Sequence, residues 1–193
     1  INSIPKNGLV VVSEKISNLK SQTSNLVKYG QSERMDYKYF DIVQTKDGLD
    51  FKISHNSEIY NLHSQMLGEY MAENITGAFA LAHQIGIEPA KIIDAIAKFQ
   101  GLKRRLEKRY TGKVNIFDDI AHSPVKAKSV LENLKKVYQS KIYCVFEPNG
   151  GNRQPESIPG YNNNFIDADE VIIPRLTRIK QDPTKPTNLE GND

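Results

Sequence analysis

Apolar positions along this chain follow two rhythms. Over the first 62 residues they come in short runs that read as strands: Leu9-Val10-Val11-Val12, then Tyr39 to Gln44 and Leu49 to Ile53, which alternate apolar with polar. Asp47-Gly48 separates the last two and predicts a tight hairpin, because glycine supplies positive φ without steric cost. Glu58 to Leu62 adds a further expected strand. From residue 64 to 99 the spacing changes to three and four. Leu67, Met71, Ile75, Ala78, Ala82 and Ile85 form one stripe of a helix, and Ala72, Thr76, Gly77 and Ala80 are small enough for close backbone packing. Gly86 ends that helix. A second opens at Glu88-Pro89, where the missing proline N–H costs nothing, and turns Ile92, Ile93, Ile96 and Phe99 inward until Gly101 closes it.

Beyond Val114 the order is strand, helix, strand. Val114 to Phe117 leads into Asp118-Asp119, Ser123-Pro124 opens a helix carrying Val130, Leu131, Leu134 and Val137, and further strands are expected at 141–146 and 169–173. Asn162-Asn163-Asn164 is expected on a loop or helix start between these two strands. Strands alternating with helices of this length predict an α/β fold with a parallel sheet and right-handed crossovers.

Composition narrows the class. With 193 residues and 38% apolar content the chain can bury a core, although part of it is expected to lie outside one. The single cysteine, Cys144, excludes an internal disulfide framework and any cysteine-clustered zinc site. It sits mid-strand, where burial and inertness are expected. No run approaches the roughly 18 apolar residues of a membrane span, and the N-terminus shows no signal-peptide pattern, so a cytoplasmic location is expected. The chain starts without Met and ends in a polar stretch from Pro183 to Asp193 without periodicity, which suggests a piece of something longer.

Charge changes the picture more. The net charge of +3 is too balanced to announce a polyanionic partner, yet residues 103–113 hold six basic residues and one acid, so the rest is mildly acidic. That run reads either as a solvated linker between two domains or as an anion site. Only Tyr110 is interleaved in it, so it lacks the stacking platforms of a nucleic-acid surface.

Candidate chemistry gathers at the end of the strand near 117. Ligands of open parallel sheets collect outside the carboxyl ends of the strands, where Asp118, Asp119, His122 and Ser123 fall. Ser123 reads as an ordinary N-cap or as the mouth of a helix terminus open to phosphate or carboxylate. Adjacent carboxylates can end a strand, accept ribose hydroxyls, or approach a metal through water. His122 reads as a packed histidine or as a working imidazole. His55, His63 and His83 have no ligand spacing. No Gly-x-x-x-x-Gly-Lys-Ser/Thr phosphate loop, Gly-x-Gly-x-x-Gly fingerprint or His-Glu-x-x-His element is present, so another segment would have to hold most of any nucleotide's phosphates.

Taken together, Gly68-Glu69-Tyr70-Met71-Ala72-Glu73-Asn74 before an alanine-rich helix, Gly101, Arg104-Arg105-Leu106-Glu107, and Asp118-Asp119-Ile120-Ala121-His122-Ser123-Pro124 resemble the Mur ligase family over about residues 60–150. Phe146-Glu147-Pro148 resembles the branch acting directly on UDP-N-acetylmuramate, which joins it to L-alanine or to a murein tripeptide. The resemblance implies that residues 1–105 are the end of a central ATP-binding domain and residues 106–193 an incomplete Rossmann-like C-terminal domain. It also implies an ATP-dependent amide ligase working through an acyl phosphate, with Mg²⁺ ligands and phosphate loop mainly outside this chain, which would be inactive alone. By motif, Asn74 matches an adenine-recognising asparagine, Arg105 an arginine that reaches the ATP phosphates, and Asp119 an acid on the ribose. His122 and Ser123 match the loop facing the reacting centre, and Arg105 and His122 are the expected catalytic residues. Tyr70-Met71 stands where the family often has His-Asn, which leaves adenine contact by this helix to Asn74, and Ile120 stands where an aromatic is common. A rival expectation is a stand-alone nucleotide- or anion-binding α/β module without catalysis.

Overall fold

The computed structural model describes residues 4–5, 7–16 and 25–174. The polar stretch from Pro183 to Asp193 lies outside the described residues. Two compact units divide the chain, Ile1–Gly101 and Leu102–Asp193, so that Arg104 and Arg105 fall in the second.

In the first unit five strands lie side by side in chain order: β1 (Val10–Ser13), β2 (Leu26–Gly30), β3 (Tyr37–Thr45), β4 (Gly48–His55) and β5 (Glu58–Ser64). The first three are parallel and the last three form an antiparallel meander. Strand β2 was not expected: Leu26-Val27-Lys28-Tyr29 has no strict alternation, and its partners are supplied by residues distant in sequence. The hairpin between β3 and β4 is also shifted from expectation. Thr45 pairs with Gly48, so Lys46-Asp47 occupy the turn and the positive φ of +137° falls on the first residue of β4. Glycine is required there for a second reason, since a Cβ would stand 2.0 Å from the Ser64 carbonyl oxygen of β5.

Helix α1 (Tyr70–Gln84) lies on this sheet, followed by α2 (Pro89–Lys98). Gly86, at φ +90°, closes α1 in a paired C-terminal motif: its N–H donates to the His83 carbonyl at 2.9 Å and the Ile87 N–H to that of Ala82 at 3.1 Å. The buried face of α1 is rotated from the expected stripe. Ala72, Ile75, Thr76, Phe79 and Ala80 are buried, whereas Ala78 and Ile85 are exposed. The bulkiest apolar residue decides the face: the small side chains at 72, 76 and 80 let the helix approach the sheet, and Phe79 fills the space between. Its ring packs at 5.1 Å from Tyr60 and 6.2 Å from Tyr37 in a core completed by Tyr39, Leu49, Phe51, Ile53, Leu62 and Ile92. In α2 only Ile92 is buried, and Phe99, just past its end, is exposed.

In the second unit β6 (Glu107–Thr111) and β7 (Asn115–Asp118) form an antiparallel hairpin, α3 (Pro124–Val137) follows, and β8 (Tyr143–Val145) pairs in parallel with β9 (Glu170–Ile172). The fold is α/β with parallel pairing, as expected, but the strand ending at Asp118 pairs with the basic run instead of joining a parallel sheet. Period two was hidden there because charged side chains occupy both faces; the Lys108 ammonium lies 6.0 Å from the Phe117 ring centre. Leu106, Ala127, Leu131, Tyr138 and Phe146 are buried, and Cys144 is half-buried in β8. Burial raises the Cys144 thiol above its ordinary value, which keeps it protonated at neutral pH.

Candidate functional site

The loop that carries Arg105 is built from unusual backbone. Arg104 (φ 57°) and Leu106 (φ 45°), on either side of it, are left-handed residues with side chains, each costing about 1–2 kcal/mol relative to the right-handed region. Four hydrogen bonds hold them. The Arg104 N–H donates to Glu107 Oε2 at 2.9 Å, the Leu106 N–H to Asp119 Oδ2 at 2.7 Å, the Ala121 N–H to Asp119 Oδ1 at 2.7 Å, and the Ile120 N–H to the Arg104 carbonyl at 2.8 Å. Leu106 is buried beneath the loop while Arg105 is exposed, and among the described residues the Arg105 guanidinium makes no ion pair. Arg104 reaches Asp118 only at 3.8 Å with both side chains largely exposed, a weak contact. The bond from the Arg104 N–H, then the Arg109 guanidinium, hold the Glu107 carboxyl below the usual carboxylate range.

His122 follows on the same stretch. Its Nδ1 lies 2.8 Å from the Ile120 carbonyl, which can only accept, so the neutral ring carries its proton on Nδ1 and Nε2 keeps a lone pair. The His122 carbonyl in turn accepts the Asn149 N–H at 3.1 Å and the Asn152 side-chain amide at 3.4 Å. The loop after β8 is thereby attached to it, and Arg153, only 5% exposed, anchors that loop by donating to the Pro148 carbonyl at 3.0 Å and to Glu147 at 3.3 Å. Ser123 sits at the N-cap of α3 without a side-chain cap bond; its carbonyl accepts the Ala127 N–H at 3.0 Å, and Pro124 takes the first helical position.

Arg105, Asp119, His122 and Ser123 are thus brought together in the second unit, and Asn74 belongs to the first. Asn74 is exposed on α1 and lines a cleft of about 270 Å³ with Val11, Tyr29, Gly77, Ala78 and Leu81. Its amide nitrogen lies 3.7 Å from the Met71 sulfur, and its carbonyl oxygen is an acceptor. Beside it, Glu73 accepts from Ser13 Oγ at 2.6 Å and pairs with Lys15, so the end of β1 is tied to α1. Burial acts to raise the Glu73 carboxyl, but the Lys15 ammonium and Ser13 hydroxyl outweigh it and hold the group below its ordinary value of 4.5. The folded state therefore favours the ionised form, and this contribution is present above pH 4.5 and lost as pH falls through the lowered value. The same pair raises Lys15, so the link also loosens in strong alkali. Melting temperature measured against pH should fall on the acid side, and Glu73→Gln should remove that part of the dependence; an unchanged profile would count against the link.

Among the described residues no three His, Cys, Asp or Glu side chains gather in a group that could hold a metal ion. None of their helices is long and apolar enough to cross a membrane. Two features were not expected from the residues: Glu107 as a partner of backbone, and the loop in which Asn149 and Asn152 donate to the His122 carbonyl and Arg153 holds Pro148 and Glu147. The first depends on the sign of φ at Arg104, which no side-chain pattern reports. A buried arginine in a Gly-Asn-rich loop gave no signal beyond its own oddity.

Comparison with known proteins bears on this arrangement. Residues 1–82 match the Mur ligase middle domain. The chain is similar to the UDP-N-acetylmuramate–L-alanine ligase of Clostridium acetobutylicum, 28% identical over 191 residues that cover 95% of this chain and 42% of that protein. Its likeness to the same-named ligase of Nitrobacter hamburgensis is 33% over 158 residues, or 77% of this chain and 33% of that one. The crystal structure of the UDP-N-acetylmuramate–alanine ligase from Thermotoga maritima matches in fold, with a TM-score of 0.64 at 22% identity over 75% of this chain and 33% of that chain. This chain therefore spans less than half the length of these relatives.

Proposed function

We propose, from the match of residues 1–82 to the Mur ligase middle domain, that this chain is the part of an ATP-dependent amide ligase that joins UDP-N-acetylmuramate to an amine, L-alanine or a murein tripeptide, in making or recycling peptidoglycan precursors. The names of its relatives favour L-alanine. The observation that carries the reading is the Arg105 loop, which presents a guanidinium without an ion pair among the described residues on braced backbone, on the same stretch as an imidazole whose Nε2 accepts no bond among them. In the proposed reaction the γ-phosphoryl group passes from ATP to the muramoyl carboxylate, the amine attacks the acyl phosphate, and the tetrahedral adduct loses a proton and inorganic phosphate to leave the amide.

Such chemistry needs positioning and charge stabilisation more than a protein nucleophile. Arg105 supplies a bidentate cation for the transferring phosphoryl oxygens, a charge-assisted contact of roughly 1.5–3 kcal/mol. Asn74 and Asp119 are assigned to the adenosine, through adenine and ribose respectively. Fit to the adenine ring is supported by the apolar lining beside the Asn74 carbonyl oxygen, which can accept from an exocyclic amine. His122, with Nε2 available to take a proton, and Ser123 face the carboxylate and amine. Mg²⁺, when bound, neutralises phosphate charge, and its ligands are assigned to protein outside this chain. Residues 1–105 are read as the end of the ATP-binding domain and 106–193 as Rossmann-like, in a cytoplasmic enzyme.

The full-length protein should release phosphate from ATP only when UDP-N-acetylmuramate and the amine are both present. Comparing L-alanine with the tripeptide identifies the amine. No phosphate release with either would sink the ligase reading.

A further inference from the structure

Arg105 is exposed and has no ion-pair partner among the described residues, so its direction is set by the backbone on which it stands. That backbone is left-handed on both sides of it, a conformation from which residues with side chains escape unless held. Two carboxylates hold it, one on each flanking residue: Glu107 takes the Arg104 N–H and Asp119 takes the Leu106 N–H. All four of their oxygens are engaged, because Glu107 Oε1 also accepts from Arg109 at 2.9 Å and Asp119 Oδ1 from the Ala121 N–H at 2.7 Å. The second Asp119 bond ends one residue before His122, so one side chain sets the spacing between the arginine and the imidazole stretch.

We propose that Glu107 and Asp119 are positioning residues for Arg105, holding the N–H groups of its two neighbours, Arg104 and Leu106, so that the guanidinium meets the transferring phosphoryl group. This rests on the ligase reading above and adds to it a task for Glu107, and a second task for Asp119 beyond any ribose contact. Glu107→Gln keeps the shape but can satisfy only one of its two donors with its single carbonyl oxygen. Asp119→Asn sets an amide N–H₂ against either the Leu106 or the Ala121 N–H. In both variants the loop is free to return to right-handed backbone.

The test uses the full-length ligase with Glu107→Gln and Asp119→Asn, each alone and combined with Arg105→Ala. Phosphate release gives kcat, and amide hydrogen exchange reports Arg104 and Leu106. Each single variant should lower kcat by about tenfold to a hundredfold, in line with the cost of a misplaced group. Exchange should quicken at Arg104 in Glu107→Gln and at Leu106 in Asp119→Asn. On the Arg105→Ala background Glu107→Gln should not lower kcat further, since Glu107 acts through the missing guanidinium, and Asp119→Asn should lower it by clearly less than it does alone, the remainder being its ribose contact. A merely destabilising role would instead multiply with Arg105→Ala, and that result, or an unchanged kcat in the single variants, overturns the proposal. Wild-type enzyme that does not turn over ATP overturns the ligase reading and this proposal with it, whereas an active wild type with multiplying variants overturns the proposal alone.

Discussion

Replacing Arg105 by alanine in the full-length protein should lower kcat for ATP-dependent ligation by about 10²–10³, the usual effect of deleting one charge-stabilising donor. The fold should survive, because Arg105 is exposed and makes no ion pair among the described residues, and surface changes of that kind stay within about 0.5 kcal/mol. Arg105→Lys should recover only part of the rate. An ammonium restores the charge but not the planar fork that meets two phosphoryl oxygens at once. Steady-state phosphate release, read beside a melting curve for each variant, checks both halves. Wild-type kcat in the alanine variant would remove Arg105 from the machinery.

The largest effect on stability should come from Phe79→Ala. Phe79 is fully buried, packed between Tyr37, Tyr60 and His83, with the His83 ring at 5.9 Å, and it fixes α1 on the sheet. Large-to-small changes of this kind cost about 3–5 kcal/mol, a sizeable share of the roughly 5–15 kcal/mol that holds a typical domain together. The cavity cannot collapse easily, because its walls are aromatic rings fixed by contacts of their own: Tyr37 stacks on His55 at 3.9 Å, and its hydroxyl lies 2.9 Å from His83 Nδ1. Urea denaturation should show a lower midpoint with an unchanged slope. Phe79→Leu, which keeps more of the volume, should recover most of the loss, and a wild-type midpoint for the alanine variant would refute the packing account.

Much of this was legible in the residues. The strands of the meander declared themselves because Leu49, Phe51 and Ile53 alternate with polar neighbours, and both helices of the first unit through their spacing, with Gly86 closing α1 while α2 ends at Lys98 on an extended Phe99, short of Gly101. What stayed hidden was set by partners far along the chain. Strand β2 needs β1 and β3 to exist, and the basic run becomes β6 only when β7 lies beside it. The face of α1 was misjudged because six apolar residues fit a stripe as well as five buried ones do, and the deciding vote belonged to Phe79. At the site, the carboxylate and imidazole at a strand end were readable, as was the arginine near them. That Asp119 has both oxygens on backbone N–H groups was not, since side-chain type alone does not separate a ligand's acceptor from a loop's.

The left-handed pair around Arg105 also bears on the entropy of the nucleotide binding proposed above. Ordering a flexible backbone residue costs about 1–2 kcal/mol, and a phosphate-contacting loop that settled only around its ligand would subtract that from affinity for every residue involved. With Arg104 and Leu106 fixed by Glu107, Asp119 and the Ile120 N–H, the cost falls on folding instead. In the proposed ligase the guanidinium would then reach the phosphate with only its own side-chain torsions left to lose.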